Sequence, residues 1–211
     1  MTPKPIHTLT TSGTTAADAI YGRRSVRKYR PTPVEGTEIR ALLHAAVQAP
    51  TAMHAEPWVF VVVQDPAALR RVSDIAKQEM IQQAHLYRDL HDPSVTPKNG
   101  GFLKALGSPD FNIFYDAGTL ILIGGRITNP YVSGDCWLAA ENLMLAAAAM
   151  GLGTCCIGSA LPAVNMPDVK ASLSIPSDVS VIAAIIVGVP ADMPAPTGRK
   201  EPVILNWIHR P

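Results

Sequence analysis

Cysteine is scarce in this chain: three residues in 211, Cys136, Cys155 and Cys156, an odd number with two of them adjacent. That is no disulfide framework, and neighbouring cysteines rarely meet the geometry that the bond demands. A reduced, cytoplasmic protein is the expectation. Charge is thin as well, at 17% charged residues and a formal net charge of +1. A nucleic-acid partner needs a Lys/Arg excess that is missing here. No apolar run approaches the roughly 18 residues of a membrane span. The stretch Met1–Thr15 is polar, holds two prolines and lacks the apolar core of a signal peptide. The six histidines (His7, His44, His54, His85, His91 and His209) show no metal-ligand spacing, and no G-x-S-x-G elbow occurs, so no metal is expected. With no acid/base or nucleophile constellation of its own, the chain points to chemistry carried by a cofactor.

What the chain has in quantity is apolar side chain, 47% of its residues. That exceeds the usual need of a monomer this size, and part of the surplus is expected to be buried between subunits. The organisation read from the sequence is a loose arm over 1–14 and one domain over 15–211. Thr15 with Asp18 marks a helix start. Ile39, Leu42, Leu43, Ala46 and Val47 give 37–48 an amphipathic helical period. Trp58–Val63 and 118–123 read as strands buried on both faces, with a further strand over 181–189. Asp65-Pro66 caps a further helix, and the first part of the weaker stretch after Gln78, to about His91, reads as its continuation. The helix over 135–150 is apolar on most of its circumference, which suits a buried or dimer-core position. Gly151 and Gly153 then read as a helix stop. Residues 78–115 lose sustained periodicity and are read as a lid or excursion over a ligand, with Tyr87, Phe102, Phe111 and Phe114 as its aromatics.

The cationic run Arg23-Arg24-Ser25-Val26-Arg27 suits an organic phosphate, because guanidinium groups grip phosphate oxygens in pairs and keep their charge. Taken alone it is more readily a solvated charge run. The later Gly198-Arg199-Lys200 offers a second basic group whose convergence on the same anion is not readable from sequence. The loop Ala49-Pro50-Thr51-Ala52-Met53-His54, running into Pro57-Trp58, is either a ligand loop or a proline-shaped connection with His54 at the surface. Gly151-Leu152-Gly153 lacks the G-x-G-x-x-G spacing, which argues against a Rossmann nucleotide fold. Cys155-Cys156 reads as a pair of small buried residues.

These motifs, with the helix over 137–150 closing on Gly151-Leu-Gly-Thr-Cys-Cys-Ile-Gly158, stand in the order seen in the nitroreductase-like flavoproteins, which residues 16–205 resemble. The resemblance implies an α+β fold, a central mixed β-sheet flanked by helices, in a domain-swapped type of homodimer with one FMN in each of two interface clefts. It implies that Arg23 and Ser25 contact the FMN phosphate and ribityl chain, with Arg24 assisting. Arg27 would lie near flavin N1 and O2, where a cation stabilises the charge of the reduced ring. Pro50, Thr51, Ala52 and His54 would line the flavin, in part from the partner subunit. Ile157 and Gly158 would face the ring at N5, and Arg199 with Lys200 would complete the phosphate site. An asparagine is usual where His54 stands, and a proline where Gly118 stands. The activity implied is electron transfer from NADH or NADPH to a flat, electron-poor acceptor such as a nitroaromatic or quinone. A dehalogenase, a flavin-fragmenting enzyme or an enoyl-type reductase of the same fold stays open, as does a flavin-binding sensor.

Overall fold

The computed structural model of the chain describes residues 13–90 and 104–209, with the backbone alone over 84–90. Helix α1 (Ala16–Gly22) starts as expected. Thr15 Oγ1 accepts the Asp18 N–H at 3.1 Å, and the Asp18 carboxylate accepts the Thr15 N–H at 2.9 Å. Helix α2 (Gly36–Ala46) buries Ile39, Leu42 and Ala46, the stripe its period foretold. Strand β1 (Trp58–Val63) leads into α3 (Pro66–Leu90), where Asp65 Oδ2 accepts the Ala68 N–H at 2.8 Å. Strand β2 (Thr119–Arg126), helix α4 (Val132–Ala149) and strand β3 (Gly153–Cys156) follow. Two short helices, α5 (Leu161–Val164) and α6 (Pro167–Ser172), precede strand β4 (Val179–Gly188).

The four strands lie in the order β1-β2-β4-β3, and every ladder is antiparallel. The α+β class therefore holds, while the expected mixed sheet is corrected. The parallel pairing among the described residues is the isolated bridge between Ser25 and Thr154. Alternation along the central strands divides the interior in two. Leu120 and Leu122 face a cluster with Leu69, Val72 and Phe114, covered by α3 and the short helices. Ile121 and Ile123 face a second cluster with Leu42, Leu143 and Ala147, covered by α2 and α4. Two further expectations change. Strand β1 is an edge strand and is mostly half-buried, with Val62 37% exposed, so it is not buried on both faces. The Gly151–Cys156 stretch is more than a helix stop, since β3 pairs with β4 from Gly153↔Gly188 to Cys156↔Ile185.

The excursion over 78–115 resolves in two parts, the first as expected and the last differently. Its first part continues α3 to Leu90. Its last part is fastened down: Lys77 Nζ donates to Phe111 O at 2.9 Å, and the Ile113 N–H donates to the buried Ser73 Oγ at 3.1 Å. Phe114 is fully buried in the core and is no lid aromatic. Phe111 packs partly buried against the same cluster. Phe102 and the Tyr87 side chain lie outside the described residues.

Candidate functional site

Residues 23–30 leave α1 as an extended segment stitched across the ends of two strands. The Val26 N–H donates to Thr154 O at 2.9 Å, the Arg30 N–H to Val189 O at 2.9 Å, and the Ala191 N–H to Lys28 O at 3.0 Å. Extended backbone sends alternate side chains to opposite sides. Val26 is completely buried, and its neighbours Ser25 and Arg27 face outward. Close approach is secured by glycines. A Cβ on Gly153 would stand 2.9 Å from Val26 side-chain atoms, and one on Gly188 would stand 2.6 Å from the Tyr29 ring. Tyr29 then donates its hydroxyl to Val26 O at 2.7 Å, and burial pushes its phenol far above the ordinary tyrosine range.

This corner opens into two recesses. The smaller, of about 220 Å³, is lined by Arg23, Arg24, Ser25, Arg27, Thr197 and Arg199, with Pro194 and Ala195. No acidic side chain is among them. The larger, of about 370 Å³, is lined by Arg27, Ile113, Tyr115, Cys155, Cys156, Ile157, Gly158 and Ser159. Arg27 borders both. The basic residues from opposite ends of the sequence thus converge, which sequence alone left open. Lys200 is not among the lining residues.

The cations are not equivalent. Arg24 Nη1 donates to Tyr21 O and Arg23 O, each at 2.8 Å, so this guanidinium is turned back onto the end of α1. Arg23 Nε lies 3.7 Å from Glu141 Oε1 of α4. Arg27 stands over the Tyr115 ring, 5.8 Å from its centroid. Burial pushes the Cys155 thiol up, opposed by the nearby Arg27, a hydrogen bond with the Ser25 side chain, and Arg23. Burial and the Cys155 sulfur push Cys156 up as well. Both thiols stay protonated in this setting, which fits a wall and not a nucleophile.

A terminal phosphate fits the smaller recess. Three outward guanidiniums and a hydroxyl offer charge-assisted donors for its oxygens. The larger recess suits the flat, mostly apolar group of a ligand so anchored, with Ile113, Ile157 and Tyr115 as apolar surface.

The loop expected to line the ligand lies elsewhere in this chain. Pro50, Thr51, Ala52 and His54 border neither recess. The His54 side chain is 91% exposed and lies 3.4 Å from the Glu56 carboxylate. The loop is tightly specified: Met53, His54 and Glu56 all have positive φ (54°, 53° and 42°). Thr51 Oγ1 accepts the Glu56 N–H at 3.3 Å, and Asp135 Oδ1 accepts the Ala52 N–H at 3.2 Å. Asp135 is buried, and its Oδ2 has no hydrogen-bond partner among the described residues. Non-glycine residues in the left-handed region carry strain that persists where surrounding contacts over-determine it, and such strain clusters at functional sites.

Sequence reasoning missed Ile113, Tyr115, the two cysteines and Ser159 as lining residues. The cysteines were legible in principle, since Thr154-Cys155-Cys156-Ile157 is a short apolar run flanked by glycines, a strand signal. Tyr115 had no such signal, because its place depends on a turn with positive φ at both Tyr115 (52°) and Asp116 (55°). Among the described residues no group of His, Cys, Asp and Glu is placed to hold a metal ion, and no helix is long and apolar enough to cross a membrane.

Comparison with known proteins agrees with this geometry. An NADH dehydrogenase of Thermus thermophilus is 30% identical over 197 residues, covering 87% of this chain and 91% of that one. A nitroreductase of Bacteroides fragilis, solved with bound FMN, superposes with a TM-score of 0.73 at 23% identity, over 92% of this chain and 98% of its own. An iodotyrosine deiodinase solved with FMN and 3-iodo-L-tyrosine superposes at 0.70 and 23% identity, over 92% of this chain and all of its own. At such identities these two structures speak for the fold alone. The sequence profile of the Nitroreductase family matches residues 20–189, from the end of α1 through the arginine corner, both sheet faces and the last strand. By that match, and by the relative from Thermus, the chain belongs to the Nitroreductase family.

Proposed function

We propose that the protein is an FMN-dependent oxidoreductase that passes electrons from NADH or NADPH to a flat, electron-poor acceptor such as a nitroaromatic or quinone. One observation carries the reading: Arg27 joins a cationic recess of phosphate size to a larger recess with apolar walls. Bound there, FMN would supply reversible hydride and electron transfer. Arg23, Ser25 and Arg199 would hold its phosphate, and Arg24 would brace the corner from behind through Tyr21 O and Arg23 O. Ile157 and Gly158 would face the ring. Arg27, on the border between the recesses, would stand against its N1 and O2 edge and favour the reduced, negatively charged form.

The functional unit in this reading is a homodimer. Pro50, Thr51, Ala52 and His54 border neither of their own chain's recesses, as residues that complete a neighbour's cleft would. Trp137 and Leu138 on α4, Ile20 and Tyr21 on α1, and Val203, Leu205, Trp207 and Ile208 of the last segment are exposed large apolar side chains. A face of that extent suits burial against a second copy. The test is direct. The purified protein should be yellow, release FMN and not FAD on denaturation, bleach anaerobically with NADH or NADPH, and recover colour with a nitroaromatic or quinone. A colourless protein that takes up no FMN would overturn the proposal.

A further inference from the structure

Tyr115 is held in a backbone conformation that costs free energy for a bulky side chain. It sits in the left-handed region next to Asp116, also left-handed, where glycine would be the unstrained choice. The turn is pinned from several sides. The Tyr115 N–H donates to Asn112 O at 2.9 Å, the Phe114 N–H to Asn112 Oδ1 at 2.9 Å, and Asn112 Nδ2 to Asp116 Oδ1 at 3.1 Å. Phe114 anchors the turn in the core, and Phe111 meets the Tyr115 ring edge-on, with centroids 5.8 Å apart at 82°. What this pinning presents to the larger recess is the ring of Tyr115, with the Arg27 guanidinium over it.

We propose that Tyr115 is a positioning residue that acts through Arg27: its ring fixes the guanidinium at the junction of the two recesses. The inference rests on the FMN reading given above. Arg27 is exposed, and a long exposed arginine samples many rotamers. An aromatic face attracts a guanidinium and narrows that range. The backbone pairing of Val26 with Thr154 fixes only the main chain beside it. The direction of the Arg27 side chain needs a second contact, and Tyr115 provides it. The phenol oxygen is not required by this argument; the ring is.

The experiment measures the midpoint potential of bound FMN in the holoprotein, together with FMN affinity, for Tyr115→Leu, Tyr115→Phe, Arg27→Ala and the double variant Tyr115→Leu/Arg27→Ala. Tyr115→Leu should lower the potential in the same direction as Arg27→Ala and by a smaller amount, whereas Tyr115→Phe should keep the wild-type value. In the double variant the Tyr115 change should add nothing to the Arg27 effect, because the residue acts through that guanidinium. Equal potentials in wild type and Tyr115→Leu, or fully additive shifts, would overturn the inference. If Tyr115→Leu fails to fold, Tyr115→Gly takes its place in the cycle, since it removes the ring and adopts the positive φ without strain. Failure of the underlying FMN reading is separately visible: wild-type protein would then take up no FMN at all.

Discussion

At the scale of the residue, the arginines of one short run divide their work, and substitution should separate them. Arg23→Ala should weaken FMN binding by about 1.5–3 kcal/mol, the loss of a charge-assisted hydrogen bond, or roughly ten- to hundred-fold in dissociation constant. Arg24→Ala should change affinity much less, because its guanidinium already serves two backbone carbonyls at the end of α1; its effect belongs in thermal stability. Titration with FMN, followed by flavin fluorescence, separates the two. A second residue-level consequence is alkaline sensitivity. Burial, with the adjacent Asp135 carboxylate, pushes the Cys136 thiol from 9.0 up to about 11. A thiol held neutral in the fold stabilises it fully below the unfolded value and loses that contribution as pH rises through the folded one. Stability should therefore fall between about pH 9 and pH 11, and Cys136→Ala should flatten that part of the curve in urea melts taken at successive pH values. The buried Tyr29 phenol continues the decline at still higher pH.

At the scale of the element, the corner between 25–30 and strands β3 and β4 holds the site together, and glycine is what lets it close. Gly188→Ala would drive a methyl group into the Tyr29 ring, which stands 2.6 Å from that Cβ position. Overpacking of this kind typically costs about 1–3 kcal/mol, so a lower melting temperature with reduced FMN retention is the expected outcome. The loop over 51–56 depends on α4 in a similar way. Asp135→Ala removes the acceptor of the Ala52 N–H, and amide exchange across 51–56 should accelerate while the central strands stay protected. These contacts also explain what the sequence could disclose. The helices were legible because α1, α2 and α3 announce themselves by local chemistry: a Thr15/Asp18 box, a 3.6-residue apolar stripe, an Asp65-Pro66 start. Central strands β2 and β4 were legible as apolar runs. Strand β3 was only weakly signalled, by a short apolar run that follows a glycine stop at once, and its strand character comes from pairing with β4. The antiparallel order was likewise beyond local reading. At the site, Arg23, Arg27 and Arg199 were identifiable by charge and Ser25 by its place among them, yet their convergence is a property of the folded chain. Phe114 misled because an aromatic in an aperiodic stretch looks the same whether it faces a ligand or the core.

At the scale of the whole molecule, the exposed apolar surface is the dominant fact. Leu205 is 95% exposed and Ile208 89%, on a segment with no regular secondary structure. Transfer of apolar area from water gains about 25 cal/mol per Å², so these side chains and those of α4 favour a partner surface strongly. Sedimentation at micromolar concentration should give a dimer, and removal of residues 203–211 should shift it towards monomer and lower its melting temperature. A stable, FMN-loaded monomer of the full chain would contradict the dimeric reading. The placement of Arg199 has a kinetic side. It lines the cationic recess from residues 191–209, all of them exposed through 200, while Arg23, Ser25 and Arg27 come from a segment stitched to strands. An anion held there would lie between a segment stitched to strands and a length of open chain. Trypsin should cut after Arg199 or Lys200 more slowly in FMN-loaded protein than in apoprotein. The dwell time of the cofactor should then follow how long that tail stays down, so that a protease clocks the same opening that lets the flavin go.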